Sequence, residues 1–171
     1  RTDLGAASEE KVAFTTAPTL VNGLIGTWAV IQPAGDTTAH YATVASGNVA
    51  TATYGATALD GATTNASVVN LSGASSLAVA SAAFAVRAAG TLDLAGYTLT
   101  LGPAASATIG QAGLILNAGA GVTGITGSRV DIGTNALSVY VDAAASSAWS
   151  VPISNRRVDT SNTLVTALTK F

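Results

Sequence analysis

The chain has 171 residues, with 7 Lys+Arg against 9 Asp+Glu, a formal net charge of −2, 49% hydrophobic residues and only 9% charged ones. A typical soluble domain carries about 25% charge, so this surface is unusually neutral, with no electrostatic footprint for nucleic acid and no polybasic membrane patch. Cys and Met are both absent, which removes disulfides, thiolate metal sites and Cys nucleophiles and points to a processed product, an excised segment or one stretch of a longer chain.

The opening Arg1-Thr2-Asp3-Leu4-Gly5 lacks the charged and apolar regions of a signal peptide, so any leader is expected to be gone already. No run of about 18 apolar residues occurs, so no membrane-spanning helix and no membrane insertion is expected. Residues 1–60 read as a first unit. A strand at 12–15 ends at Ala17-Pro18, and a connecting segment covers 19–26. Strands follow at 27–31, 41–44 and 49–54, parted by the turn-forming stretches 33–38 and 46–48. The expectation is a small antiparallel β block packed on one side or end of the second unit, where it can shield an open strand edge.

Residues 61–171 read as that second unit. Short segments alternate apolar and small residues: Ser76-Leu77-Ala78-Val79, Phe84-Ala85-Val86, Leu92-Asp93-Leu94, Leu99-Thr100-Leu101, Ala107-Thr108-Ile109, Leu114-Ile115-Leu116, Val130-Asp131-Ile132, Leu137-Ser138-Val139 and Val151-Pro152-Ile153. An i, i+2 apolar pattern is that of a strand buried on one face. The segments align in three rows, Leu77/Leu99/Val122, Val86/Ile109/Ile132/Ile153 and Leu92/Leu114/Leu137, with steps of about 22–23 residues. Three apolar strands per repeat describe an all-β fold, a parallel β-helix (solenoid) of about 22–23 residues per coil, expected to be right-handed because parallel crossovers almost always are. An antiparallel sandwich would show turns at similar spacing without three rows in step. Helices at 81–89 and 142–148 lack an apolar stripe longer than two turns. Disorder is disfavoured by high hydrophobicity and low net charge.

Ala17-Pro18-Thr19-Leu20-Val21-Asn22-Gly23 with Trp28-Ala29-Val30 and Tyr41-Ala42-Thr43, then Gly90-Thr91-Leu92-Asp93-Leu94-Ala95-Gly96-Tyr97-Thr98-Leu99-Thr100-Leu101, resemble blocks of the bacterial autotransporter-associated β-strand repeat proteins. Gly113-Leu114-Ile115-Leu116-Asn117, Gly124-Ile125-Thr126-Gly127 and the ending Ala167-Leu168-Thr169-Lys170-Phe171 are similar to the elements that follow. The resemblance covers most of the chain and implies a secreted or surface-exposed passenger stalk or fibre built of β-helical repeats. The C-terminal membrane barrel of autotransporters has no counterpart here.

β-Helices also host polysaccharide lyases and glycosidases, which need clustered acids and bases on one outward sheet. Between 61 and 155 the charged residues are Arg87, Asp93, Arg129, Asp131 and Asp142. Asp93 and Asp131 fall in different rows, and Arg129 and Asp131 at i, i+2 read as a solvated surface pair of little energetic weight. His40 stands without a carboxylate-and-nucleophile set, and Glu9-Glu10-Lys11 reads as a charged turn. Asp36 and Asp60 are the isolated candidates for a loop Ca²⁺ ligand, without the glycine-rich calcium nonapeptide. The run Gly119-Ala120-Gly121-Val122-Thr123-Gly124 has no following Lys-Ser/Thr to cradle phosphate. Asn65-Ala66-Ser67 and Asn70-Leu71-Ser72 match the glycosylation sequon.

The reading is of a structural protein without catalytic, cofactor-binding or metal residues. It is expected at the bacterial cell surface or outside the cell, stacking head-to-tail with copies of itself or with adjacent repeats into a stalk, fibre or layer. Both solenoid ends are expected to expose unpaired backbone, with 12–16 and 164–171 as contact segments. The alternative is an adhesin or glycan-binding module using Trp28, His40 and Tyr41.

Overall fold

The fold is given by a computed structural model that describes residues 12–104, 110–142, 148–154 and the backbone of 168–170. Three strands form an antiparallel sheet: β1 (Val30–Ile31), β2 (His40–Ala45) and β3 (Asn48–Thr51). The rest build three parallel sheets. The first holds β4 (Val68–Leu71), β7 (Ala85–Ala88), β10 (Gln111–Leu116), β13 (Ala136–Val141) and β15 (Leu168–Lys170). The second holds β5 (Ser75–Ser76), β8 (Leu92–Asp93) and β11 (Val122–Thr123), and the third β6 (Ser81–Ala83), β9 (Thr98–Leu101), β12 (Arg129–Asp131) and β14 (Ile153–Ser154). The chain visits the sheets in turn, so each circuit adds one strand to each. This is the arrangement of a parallel β-helix, and the expected fold class holds.

Alternation makes the strands. In β13, Leu137 and Val139 are buried while Ser138 and Tyr140 are half-buried. The inward residues stack across coils as Val69–Val86–Leu114–Val139 and Leu71–Ala88–Leu116–Val141. The third sheet adds Ser81–Leu99–Val130–Ile153, and the second adds Ser75–Leu92–Val122, extended by a bridge to Trp149. These ladders share one apolar core, and each buried Leu, Ile or Val contributes about 1.5–3 kcal/mol before the ordering cost.

The register corrects the expected repeat. In the first sheet Val68 pairs with Ala85, Ala85 with Gly113 and Gly113 with Ser138, steps of 17, 28 and 25 residues. The predicted rows therefore mix sheets. Leu99 stacks with Ser81 and Val130, not with Leu77 and Val122, and Ile153 stacks on Val130, not under Val86. Leu92 belongs to the second sheet, whereas Leu114 and Leu137 are offset on neighbouring strands of the first, with Leu114 opposite Val139. Ile109 lies outside the described residues. The cause is that the corners differ in length, and a sequence of repeated apolar-small pairs offers matches at many spacings. Residues 81–89, considered for a helix, hold β6 and β7 instead; 143–147 lie outside the described residues.

Corner chemistry follows the turn rules. The Asp93 carboxylate accepts the Ala95 N–H at 2.9 Å, and the chain turns through Ala95 (φ 49°) and Gly96 (φ 91°). A left-handed non-glycine residue is strained, and the Asp93 bond offsets that strain. In the N-terminal block, Ser46-Gly47 (φ 49° and 79°) joins β2 to β3. Positive φ at both central residues suits a two-residue hairpin turn. Val12 and Phe14 pair with Val49 and Gly47 along the free side of β3, so the predicted strands of this block all find counterparts.

The N-terminal end of the solenoid is covered, contrary to the expectation of two bare ends. Ala56 bridges Val69, the Gly55 N–H donates to Val68 O at 3.0 Å, and the Asn70 N–H donates to Ala56 O at 2.9 Å. Leu59, 4% exposed, then inserts into the core beside Val69 and Leu77. A segment that satisfies the first strand's backbone and plugs its end removes the edge that a stacking copy would use.

Candidate functional site

The antiparallel block lies on the outer face of the first parallel sheet. Outward residues there form the rows Val68–Ala85–Gly113–Ser138 and Asn70–Arg87–Ile115–Tyr140. Leu24, Tyr41 and Ala52 of the block pack with Val68, Phe84, Ala85 and Ile115 in a second apolar cluster. Gly113 makes this fit possible, because a Cβ there would sit 2.7 Å from the Tyr41 hydroxyl and 2.8 Å from Thr27 Cβ. Buried Tyr41 donates its hydroxyl to Val86 O at 3.0 Å, and the Thr27 N–H donates to Gln111 Oε1 at 3.2 Å.

The ionisable residues gather along one side of this interface. Arg87, 6% exposed, donates from Nε to Ala39 O at 2.7 Å, from Nη1 to Asn70 Oδ1 at 2.6 Å and from Nη2 to Thr38 Oγ1 at 2.7 Å. Thr38 passes the chain on, its hydroxyl donating to Asp36 Oδ1 at 2.5 Å and its N–H to the same oxygen at 2.8 Å. His40 Nε2 lies 2.8 Å from Asp36 Oδ2, and Nδ1 lies 3.3 Å from the Tyr54 hydroxyl. Asn117, fully buried, pairs both amide atoms with the Ala39 backbone, accepting its N–H at 2.7 Å and donating to its carbonyl at 3.3 Å.

Hydrogen bonds from the Thr38 hydroxyl and N–H, with His40 beyond them, hold the Asp36 carboxyl down at about 2. Burial raises Tyr41 well above the ordinary phenol range, with Tyr54 beside it adding to the rise. Burial also raises Tyr54, against the opposing effects of the Tyr41 N–H and Arg87. A histidine between a carboxylate and a phenol can relay a proton, but these donors and acceptors are engaged with one another and with the backbone of both units. Neither of the two clefts at Phe14–Val49 and Gly55–Ser67 is lined by them. Chemically the arrangement is a clamp.

The structure separates the aromatic trio expected for a ligand platform. Trp28 is 56% exposed on the side of the block facing away from the solenoid. There it lines an apolar groove of about 260 Å³ with Phe14, Ile25, Val30 and Val49. Tyr41 is fully buried on the opposite side and His40 belongs to the clamp. Asp60 turns its carboxylate onto the Ala62 N–H at 3.0 Å. Asp131, 4% exposed, accepts the Gly133 N–H at 2.9 Å, so it is a corner residue and not half of a solvated surface pair with Arg129. Asp93 lies in the second sheet and Asp131 in the third. Both sequon asparagines have structural work, Asn65 Nδ2 donating to Gly102 O at 2.6 Å and Asn70 accepting from Arg87. The 119–124 run leads into β11, a strand. Residues 9–11 lie outside the described residues, as do 164–167 and 171.

No family model, curated protein or solved structure matches this chain. What stands is the architecture, three stacked parallel sheets with a docked antiparallel sheet. Sequence reasoning passed over Arg87, Thr38, Tyr54 and Asn117 as a set. One signal was available for Arg87: a lone charge inside the apolar run Phe84-Ala85-Val86-Arg87-Ala88 needs partners on its outward face.

Proposed function

We propose that the chain is a structural module of a bacterial extracellular stalk, fibre or layer, as its resemblance to autotransporter-associated β-strand repeat proteins implies. The observation that carries this reading is the asymmetry of the solenoid ends. The first coil is closed by the Gly55–Ala56 pairing and Leu59, whereas β15, β14 and Trp149 stand at the last position of their sheets among the described residues. A capped start with rungs continuing from the other end is how a solenoid protects its aggregation-prone edge while extending. The partners are further rungs of the same chain or other copies, and no catalytic step, metal or cofactor enters the mechanism. Electron microscopy of the native sample, with protease shaving of intact cells, tests it. Rods, fibres or a layer at the cell surface are expected; a cytoplasmic protein, or turnover of acidic polysaccharides, removes the reading.

A second reading, a glycan-binding surface module, is favoured by one observation, the exposed Trp28 indole over an uncharged groove. Saccharide rings stack on such faces. A glycan array with the Trp28→Ser variant as control decides it.

A further inference from the structure

Seven large apolar side chains are exposed among the described residues, and they fall on two surfaces. Val12, Leu20, Val21 and Trp28 belong to the block and surround its groove. Val79, Tyr97 and Ile125 belong to the corner between the second and third sheets, one per coil. Val79 and Tyr97 hold equivalent places, each two residues before a paired residue, Ser81 and Leu99. Ile125, at 71% the most exposed of the seven, lies against Gly96 next to Tyr97, its Cδ1 3.8 Å from where a Gly96 Cβ would be. The corner therefore carries a convex apolar ridge that climbs with the rungs, about 4.8 Å per step.

We infer that this ridge seats in the Trp28 groove of a second copy, a side-by-side contact between solenoids that rests on the structural reading above. Three observations select a second copy as the occupant. The ridge is convex and the groove concave, so the two surfaces fit each other better than either fits itself. No charged side chain lines the groove and none of the ridge residues is charged, so the contact desolvates no ion, and an acidic or basic partner gains nothing there. The ridge also repeats with the rungs, as a surface meeting another solenoid must. Ridge and groove are different patches, so the contact is heterologous, and each copy presents one free ridge and one free groove. Such a contact propagates and does not close at a dimer. It operates away from the capped N-terminal end, where stacking is blocked.

Sedimentation velocity over a concentration series tests it with the full chain. Wild type is expected to assemble beyond a dimer as concentration rises. Ile125→Asp, which spoils the ridge, and Trp28→Ser, which spoils the groove, each weaken assembly about 30-fold or more while keeping the wild-type circular dichroism and melting curve. Val49→Asp replaces Trp28→Ser if that variant melts early. Each variant retains the surface the other lacks, so an equimolar mixture forms a dimer and stops there. Undiminished assembly by either folded variant, or a mixture that stays monomeric, overturns the contact and leaves the structural reading standing. Wild type that remains monomeric also overturns it, and the imaging of native cells then decides the structural reading separately. Binding of a neutral glycan by a monomeric chain, lost in Trp28→Ser, assigns the groove to that ligand and overturns the contact.

Discussion

Replacing Arg87 by Met keeps an unbranched stem of similar length and removes the guanidinium that joins the block to the solenoid. Three charge-assisted hydrogen bonds disappear, at 2.7, 2.6 and 2.7 Å, each worth about 1.5–3 kcal/mol. The loss is smaller than their sum. The stem still packs, the cost of burying a charge is relieved, and Ala39 O keeps the Asn117 amide at 3.3 Å. Thr38 and Asn70 are only part-buried and can bond water instead. About 2–4 kcal/mol remains, a fall in Tm of about 5–15 °C for a chain of this size. The loss is also local, because two of the three acceptors belong to the block. Hydrogen exchange is expected to quicken in β2 and β3 while amides of β9 and β12 keep their protection, as for a sub-global opening. Arg129→Met, on an exposed residue, is the control and should stay within about 0.5 kcal/mol. Destabilisation by Arg87→Met below about 0.5 kcal/mol, or an even loss of protection over all strands, refutes the clamp.

Leu114→Asp places a charge between Val86 and Val139 in the core and should abolish cooperative urea unfolding, whereas Ser138→Asp on the outward row should shift it by less than about 1 kcal/mol; equal midpoints would show that the inward and outward faces are wrongly assigned. Gly113→Ala forces a methyl group against Tyr41 and Thr27 and should cost about 1–3 kcal/mol, seen as faster proteolysis of the block. The Asp36 carboxyl has a folded value of about 2 against 3.8 unperturbed, so the unfolded chain takes up its proton first as pH falls. Asp36 therefore adds stability above about pH 4 and loses it down to about pH 2, an effect reduced by solvent at a half-exposed site. Thermal melts should show a shallower acid limb over that window in Asp36→Asn, and an unchanged slope would remove Asp36 from the clamp. The raised Tyr41 and Tyr54 stabilise the fold fully below pH 10, and stability falls as pH rises beyond it; Tyr41→Phe should flatten that alkaline limb.

Local pattern alone determined that this chain is built of short strands with one oily face, that residues 12–54 make antiparallel pairs, and that the remainder coils as parallel rungs. Those properties depend on neighbours two residues apart and on turn residues such as Ser46-Gly47, which act through the local backbone. Stacking register was not legible in the same way. A ladder contact joins residues 17 to 31 apart, corner length is free to vary, and Leu, Val and Ala are nearly interchangeable partners, so Leu92, Leu114 and Leu137 lined up on paper while lying in different positions in space. The clamp is a tertiary product as well. Asp36, Thr38 and His40 come from one loop and strand, Arg87 from the solenoid and Asn117 from a corner beyond it, and only docking one sheet on another brings them within bonding distance. Whether Trp28 is buried or bare was likewise decided by which face of the block met the solenoid, a choice made by Gly113 leaving room for Tyr41.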